Sequence, residues 1–166
     1  MNVTAYIGFG SNLGDLVDNF NQASLLLKSN PQIEVLRVSG LYHTEPLTPH
    51  NEAQPWYLNS VFEIQTSLTL HSLLGAVKAI EQAMGRATHK RWASRKIDLD
   101  ILFYGNVIYG DDKLHVPHKE MIHRKFVLKP LCDLIPDFIH PDLEIPLKDI
   151  LKHSTDHLQV SPYNVK

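Results

Sequence analysis

Two segments that alternate apolar and polar residues, 33–41 and 57–66, follow one another with no helix between them. In the second, Leu58, Phe62 and Ile64 fall on one face and Asn59, Glu63 and Gln65 on the other, the period-two pattern of a strand. Each segment is joined to a further strand through a helix. Upstream, an apolar run at 3–10 leads to Leu16, Phe20, Ala23, Leu26 and Leu27 at helical spacing, with Asp15 as N-cap and Asn30-Pro31 as the break. Downstream, Leu70, Leu73, Leu74, Val77, Ile80 and Met84 mark a second helix, capped by Thr69 or Ser67 and ended by Gly85. A fourth strand covers 97–104. The order βαββαβ predicts an α+β fold with a ferredoxin-like core. A doubly wound α/β sheet would require a helix between the second and third strands. Beyond the core, 106–116 reads as an added hairpin, and 124–134 and 147–153 as C-terminal helices. No repeat or linker divides the 166 residues, so 1–166 is read as one domain. The connection 44–55 carries Pro46, Pro49 and Pro55, and a loop of that length is often functional.

Composition removes several classes of function. A formal charge of −2 argues against general affinity for nucleic acid or an anionic membrane. The lone Cys132 excludes an internal disulfide and suits a reducing compartment. With no signal-peptide pattern and no spanning apolar run, the expected location is cytoplasmic. No apolar stripe is left unclaimed by a core, which points to a monomer.

The chemistry concentrates at 91–100, Arg-Trp-Ala-Ser-Arg-Lys-Ile-Asp-Leu-Asp. Asp98 and Asp100, two apart on a strand, project from one face. Two carboxylates held that close need a cation between them, and a divalent metal arriving with a polyphosphate is the usual answer. Arg86, Lys90, Arg91, Arg95 and Lys96 suit phosphate oxygens, and such donors are also what a developing phosphoryl charge requires. A solvated basic loop would explain the cations alone, but not their union with the acidic pair. Gly8-Phe9-Gly10-Ser11-Asn12-Leu13-Gly14 misses the dinucleotide fingerprint by one place, so these glycines are read as a tight turn that lets a ligand approach the backbone. His115 and His118 lack further ligands at zinc spacing. Tyr57 and Asn59 share one strand face and would suit a flat heteroaromatic ring.

These segments together resemble the 6-hydroxymethyl-7,8-dihydropterin pyrophosphokinase family. The resemblance runs from 6–14 through 42–47, 54–59, 80–81, 85–86, 91–101, 116–118 and 126–131, in order and at family-like spacings. It implies transfer of pyrophosphate from ATP, the co-substrate, to the pterin hydroxymethyl group, with AMP released. By that resemblance Asp98 and Asp100 hold two Mg2+ ions, and Arg86 and Arg95 steady the transferring group. Glu81, Arg91, Ile101, Lys113, His115, His118, Lys119 and Arg124 would line the nucleotide. Gly10, Thr44, Glu45, Leu47, Tyr57, Asn59, Trp92 and Phe126 would surround the pterin, with Tyr57 and Phe126 sandwiching its ring. Segments 44–55 and 85–96 would close over ATP and exclude water.

The chain departs from the family pattern at Ala93-Ser94, where many members carry Gly-Pro, at Thr88, where some carry Arg, and at Lys119, where Tyr is common. None of these touches the acidic pair. Two rivals stand beside an active enzyme: an ATP- and pterin-binding relative with impaired turnover, and another Mg-dependent D-x-D transferase acting on a nucleotide diphosphate.

Overall fold

Ala5, Ile7 and Phe9 alternate with Tyr6, Gly8 and Gly10 along the first strand, β1 (Val3–Ser11), so one of its faces is wholly apolar and the other partly bare. The structure, a computed structural model, describes residues 1–48, 53–85 and 95–164. After β1 the chain enters helix α1 (Leu16–Ser29), whose N-cap Asp15 accepts the Asp18 N–H at 3.0 Å. Strands β2 (Ile33–Val38), β3 (Tyr42–Thr44) and β4 (Tyr57–Thr66) follow. Thr69 caps helix α2 (Leu70–Ala83), and Gly85 at φ 83° turns the chain away. Strand β5 (Asp98–Tyr104) leads to the small ribbon β6 (Tyr109–Gly110) and β7 (His115–Val116). Helices α3 (Lys125–Leu134) and α4 (Leu147–Lys152) and a last strand, β8 (Val160–Pro162), complete the chain.

The sheet runs β5-β1-β4-β3-β8, with β2 also paired to β4, and every neighbouring pair is antiparallel. Both its faces are covered. On one, Ile7, Phe9, Leu58, Phe62, Ile64 and Leu99 pack against Ala23 and Leu27 of α1 and Leu73 and Val77 of α2. Phe20 lies flat on Phe62, with ring centroids 5.3 Å apart. On the other face, Tyr6, Val61, Leu102 and Phe103 meet Leu128 and Leu131 of α3 and Leu147 of α4. Each fully buried side chain of this size contributes about 1.5–3 kcal/mol. Among the described residues no helix is long and apolar enough to cross a membrane.

Three expectations are corrected. The strand expected over 33–41 stops at Val38, where Ser39 interrupts the ladder, and a separate short strand follows at Tyr42–Thr44. The Ser39 N–H donates to the Val61 carbonyl and its hydroxyl accepts the Val61 N–H, both at 2.9 Å, so a side chain stands in for a backbone carbonyl. Gly8 and Gly10 lie within β1 rather than in a turn; only Gly14, at φ 84°, needs glycine's left-handed freedom there. The tail supplies an edge strand that no local pattern announces.

A charged row also crosses the second face. Tyr6 pairs with Glu63 in register, and Glu63 with Arg37. Tyr6 Oη donates to Glu63 Oε2 at 2.9 Å, while Arg37 donates to both carboxylate oxygens at 3.0 and 2.7 Å. The Arg37 hydrogen bonds hold the Glu63 carboxyl below its ordinary pKa despite burial. A depressed pKa adds stability above the unfolded-state value, and that stability is lost as pH falls through the folded value. Glu63→Gln should therefore cost about 1–3 kcal/mol at pH 7. The gap from wild type in urea unfolding should close as pH drops below about 4.5.

Candidate functional site

Residues at even positions of β1 and odd positions of β4, with Asp98, Asp100 and Leu102 of β5, face α3, and where these strands meet they leave a cleft of about 210 Å³. Its floor is Gly8 and Gly10. A Cβ on Gly10 would stand 2.9 Å from Asn59 Oδ1, and one on Gly8 would stand 3.4 Å from Leu102 Cδ1. The absence of side chains on this part of the central strand is what opens the space. In register, Gly10 faces Asp98 on one side and Asn59 on the other, while Gly8 faces Asp100 and Val61.

The two ends of the cleft differ in chemistry. At the β5 end lie Asp98, Asp100, Arg95, His118 and Arg124. At the β4 end lie Thr44, Glu45, Leu47, Tyr57, Asn59 and Phe126. Asn59 Nδ2 donates to Thr44 Oγ1 at 2.5 Å, which orients the amide across the recess. Arg124 Cζ sits 5.7 Å from the Phe126 ring centroid, joining the cationic end to the aromatic one.

Arg95 Nη1 approaches Asp98 Oδ1 at 3.4 Å. The Arg95 backbone is pinned by buried Asn12, whose Oδ1 accepts the Arg95 N–H at 2.7 Å and whose own N–H donates to the Arg95 carbonyl at 2.9 Å. Asn12 Nδ2 also donates to the Pro55 carbonyl at 3.1 Å. One side chain at the end of β1 therefore ties down the chain on both sides of the cleft. Burial first, then the charge of Asp98, push the Asp100 carboxyl up to about 7; Glu81 adds to this, and Lys78 and Arg124 offset it only in part. A carboxylate so crowded by negative charge is a place where a cation is favoured. Burial and Arg124 lower the pKa of His118, whose Nδ1 accepts the Glu120 N–H at 3.2 Å. The neutral ring then carries its proton on Nε2.

Twelve of the residues singled out in the sequence line this cleft: Gly10, Thr44, Glu45, Leu47, Tyr57, Asn59, Arg95, Asp98, Asp100, His118, Arg124 and Phe126. Arg86, Arg91 and Trp92, with Thr88, Ala93 and Ser94, fall outside the described residues. Glu81 does not line the cleft. It is 2% exposed, and its Oε2 accepts the Leu99 N–H at 3.0 Å, between the two aspartates, while Oε1 pairs with Lys78 at 3.0 Å. Ile101 turns into the core beneath α1 and α2. Lys113 and His115 belong to the β6–β7 ribbon, where the His115 ring lies over Gly110; a Cβ there would stand 2.6 Å from its Nδ1. Lys119 is exposed beside His118. Gly8, Ser60, Val61, Leu102 and Val127 also line the cleft, and Asn12 supports it from below. Gly8 belongs to the glycine run already read as letting a ligand approach the backbone, and the other four lining residues carry no signal in the sequence. Cys132 takes no part: burial pushes its thiol up to about 11.

The profile of the 7,8-dihydro-6-hydroxymethylpterin-pyrophosphokinase (HPPK) family matches residues 6–136. A Haemophilus influenzae protein named 2-amino-4-hydroxy-6-hydroxymethyldihydropteridine pyrophosphokinase is 35% identical over 158 residues, covering 95% of this chain and 97% of that one. The Schizosaccharomyces pombe folic acid synthesis protein fol1 is 41% identical over 150 residues, and the match covers 90% of this chain and 20% of that relative. Among solved structures, wild-type Plasmodium falciparum HPPK-DHPS superposes with a TM-score of 0.72 at 15% identity, over 92% of this chain and 44% of that one. A profile match across the cleft-forming strands and near-complete overlap with a single-length relative place the chain in the HPPK family.

Proposed function

We propose that this protein transfers the β,γ-pyrophosphoryl unit of ATP to the hydroxymethyl oxygen of 6-hydroxymethyl-7,8-dihydropterin, releasing AMP, as a step in folate biosynthesis. The observation that carries this is the cleft's polarity: an acidic pair with flanking cations at one end, an aromatic and amide recess at the other, and a bare glycine floor between. The names of the H. influenzae and S. pombe relatives agree with it.

In this reading Tyr57 and Phe126 hold the pterin ring between them, and Asn59, with Thr44 beside it, reads the ring's hydrogen-bonding edge. Glu45 and Leu47 complete that end, over the backbone of Gly10, and Trp92 is assigned to the pterin by the family resemblance alone. Arg95 and Arg86 steady the transferring group as its charge is redistributed. His118 and Arg124 meet the nucleotide at the β5 end of the cleft, and Arg91, Lys113, His115 and Lys119 are its further partners. Glu81 and Ile101 belong to the same region through β5, with Glu81 acting on the Leu99 backbone.

Asp98 and Asp100 are the residues suited to Mg2+. Among the described residues no group of three or more His, Cys, Asp or Glu side chains forms a metal cage. A pair of carboxylates is nonetheless what Mg2+ commonly takes from a protein when substrate phosphates supply its other ligands. The raised Asp100 pKa fits that role, because a bound cation would remove the repulsion that raises it. When bound, two such ions would neutralise charge on the transferring phosphates. The order β5-β1-β4-β2, with α1 and α2 on one face, supports a ferredoxin-like core. The same reading takes 1–166 as a single pyrophosphokinase domain that works as a monomer in the cytoplasm.

Incubation with ATP, Mg2+ and 6-hydroxymethyl-7,8-dihydropterin should give AMP only when the pterin is present. ADP in place of AMP would mean that a single phosphoryl group moves. Asp100→Asn should abolish turnover yet stabilise the ligand-free protein. An acid whose folded pKa is raised contributes stability that is complete below its unfolded pKa and lost as pH rises through the folded value, here from about 4 to about 7. The gain should therefore be greatest at about pH 8, where wild-type Asp100 is charged in the folded protein. Thermal melts should show this gain vanish near pH 4. Gly10→Ala should lower kcat/KM for the acceptor by roughly 10–100-fold by displacing the Asn59 amide, with the ATP KM little changed.

A further inference from the structure

We propose that the C-terminal segment 156–163 is a strap that positions the acceptor wall of the cleft, with Asp156 and Gln159 as its positioning residues. This rests on the pyrophosphokinase reading above. None of these residues lies within 6–136, the stretch matched by the family profile.

The strap is anchored at three places, and each anchor leads to a residue of the pterin end. Asp156 Oδ2 accepts the N–H of Lys125 at 2.9 Å. Lys125 opens α3 and precedes Phe126, and its helix has no side-chain cap of its own at Arg124. A remote carboxylate therefore does the work of an N-cap and meets the positive end of the helix dipole. Asp156 Oδ1 accepts the Leu158 N–H at 3.0 Å, which folds the strap towards the next anchor. There Glu45 and Gln159 exchange two bonds: the Glu45 N–H donates to the Gln159 carbonyl, and the Gln159 N–H donates to Glu45 Oε2, both at 2.9 Å.

Beyond Gln159, β8 pairs with β3 through Thr44↔Val160 and Tyr42↔Pro162. Thr44 in turn holds the Asn59 amide. The third anchor is Tyr163, whose N–H donates to the Leu41 carbonyl at 2.8 Å. Its ring meets His43, which packs 5.0 Å from Trp56, next to Tyr57. Phe126, Thr44-Glu45 and Tyr57 sit on three separate segments of chain, and the strap connects to all three. Its described contacts do not include Asp98, Asp100, Arg95 or His118; Arg124, which precedes Lys125, is the nucleotide-end residue adjacent to an anchor.

That one-sidedness makes the proposal testable on the full-length protein at a temperature where circular dichroism shows every variant folded. Asp156→Ala should raise the KM for the pterin about fivefold, the equivalent of about 1 kcal/mol and the usual worth of a helix cap. The KM for ATP should rise much less, through Arg124 alone. Asp156→Asn keeps one acceptor oxygen, enough for the Lys125 N–H but not for the Leu158 N–H as well, and should recover only part of the pterin KM. Gln159→Pro removes the N–H that holds Glu45 Oε2 while keeping the carbonyl, and should raise the pterin KM independently. An active wild type whose variants melt lower but keep both KM values would overturn the strap and leave a merely structural tail. So would equal rises in the two KM values. A wild type that makes no pterin-dependent AMP would instead overturn the functional reading on which the strap rests.

Discussion

Asp98, Gly10 and Asn59 form one row across β5, β1 and β4, and the site depends on that register. Adjacent strands lie about 4.8 Å apart, so the row holds the acidic pair and the amide roughly 10 Å from each other across bare backbone. Nothing in the loops sets this separation. A slip of one residue in either pairing would turn Asp98 and Asp100, or Tyr57 and Asn59, into the apolar layer beneath α1 and α2. That layer, from Ile7 and Phe9 to Leu58 and Phe62, is what makes the slip prohibitive. The core is thus the reason the chemistry lines up, even though it touches no ligand.

The acidic end is held against its own repulsion from two sides. Glu81, itself nearly fully buried, satisfies the Leu99 N–H on the outer edge of β5 and so fixes the backbone between the aspartates. In doing so it brings a third carboxylate near Asp100 and raises its pKa further. Arg95 answers at Asp98, with its backbone clamped by Asn12. A ligand-free site that keeps three carboxylates close is under electrostatic strain, and a cation-bearing phosphate ligand relieves that strain on arrival. Ligand affinity and apo-state stability are therefore set in opposition by the same side chains.

Most of this frame was legible in the chain. The alternation in 57–66 identified which face Asn59 would occupy, the i, i+2 spacing put Asp98 and Asp100 on one face, and the helix caps at Asp15 and Thr69 read directly from local chemistry. What was hidden depends on partners distant in sequence. Ser39 breaks an unbroken-looking alternation only because Val61 lies opposite its hydroxyl. Gly8 and Gly10 looked like turn residues until β4 and β5 flanked them. The bulge where Tyr6 pairs with Phe103 and Ile7 with Ile101 leaves Leu102 over, and lets Leu102 and Phe103 both reach the α3 layer, against simple alternation. Asn12, central to both loops, carries no periodic signal at all.

The tail illustrates the same dependence from the side of the sheet's edge. β3 is only three residues long, and without β8 its outer N–H and C=O groups would face solvent as a template for non-specific pairing. Covering it requires a strand but no particular apolar pattern, which is why Val160–Pro162 is short, half-polar and invisible to periodicity. Because the covered edge carries Thr44 and runs directly into Glu45, protecting the sheet and stiffening the wall of the cleft become one structural act. An edge left open would leave Thr44 free to drift, and with it the Asn59 amide that the central row is built to present.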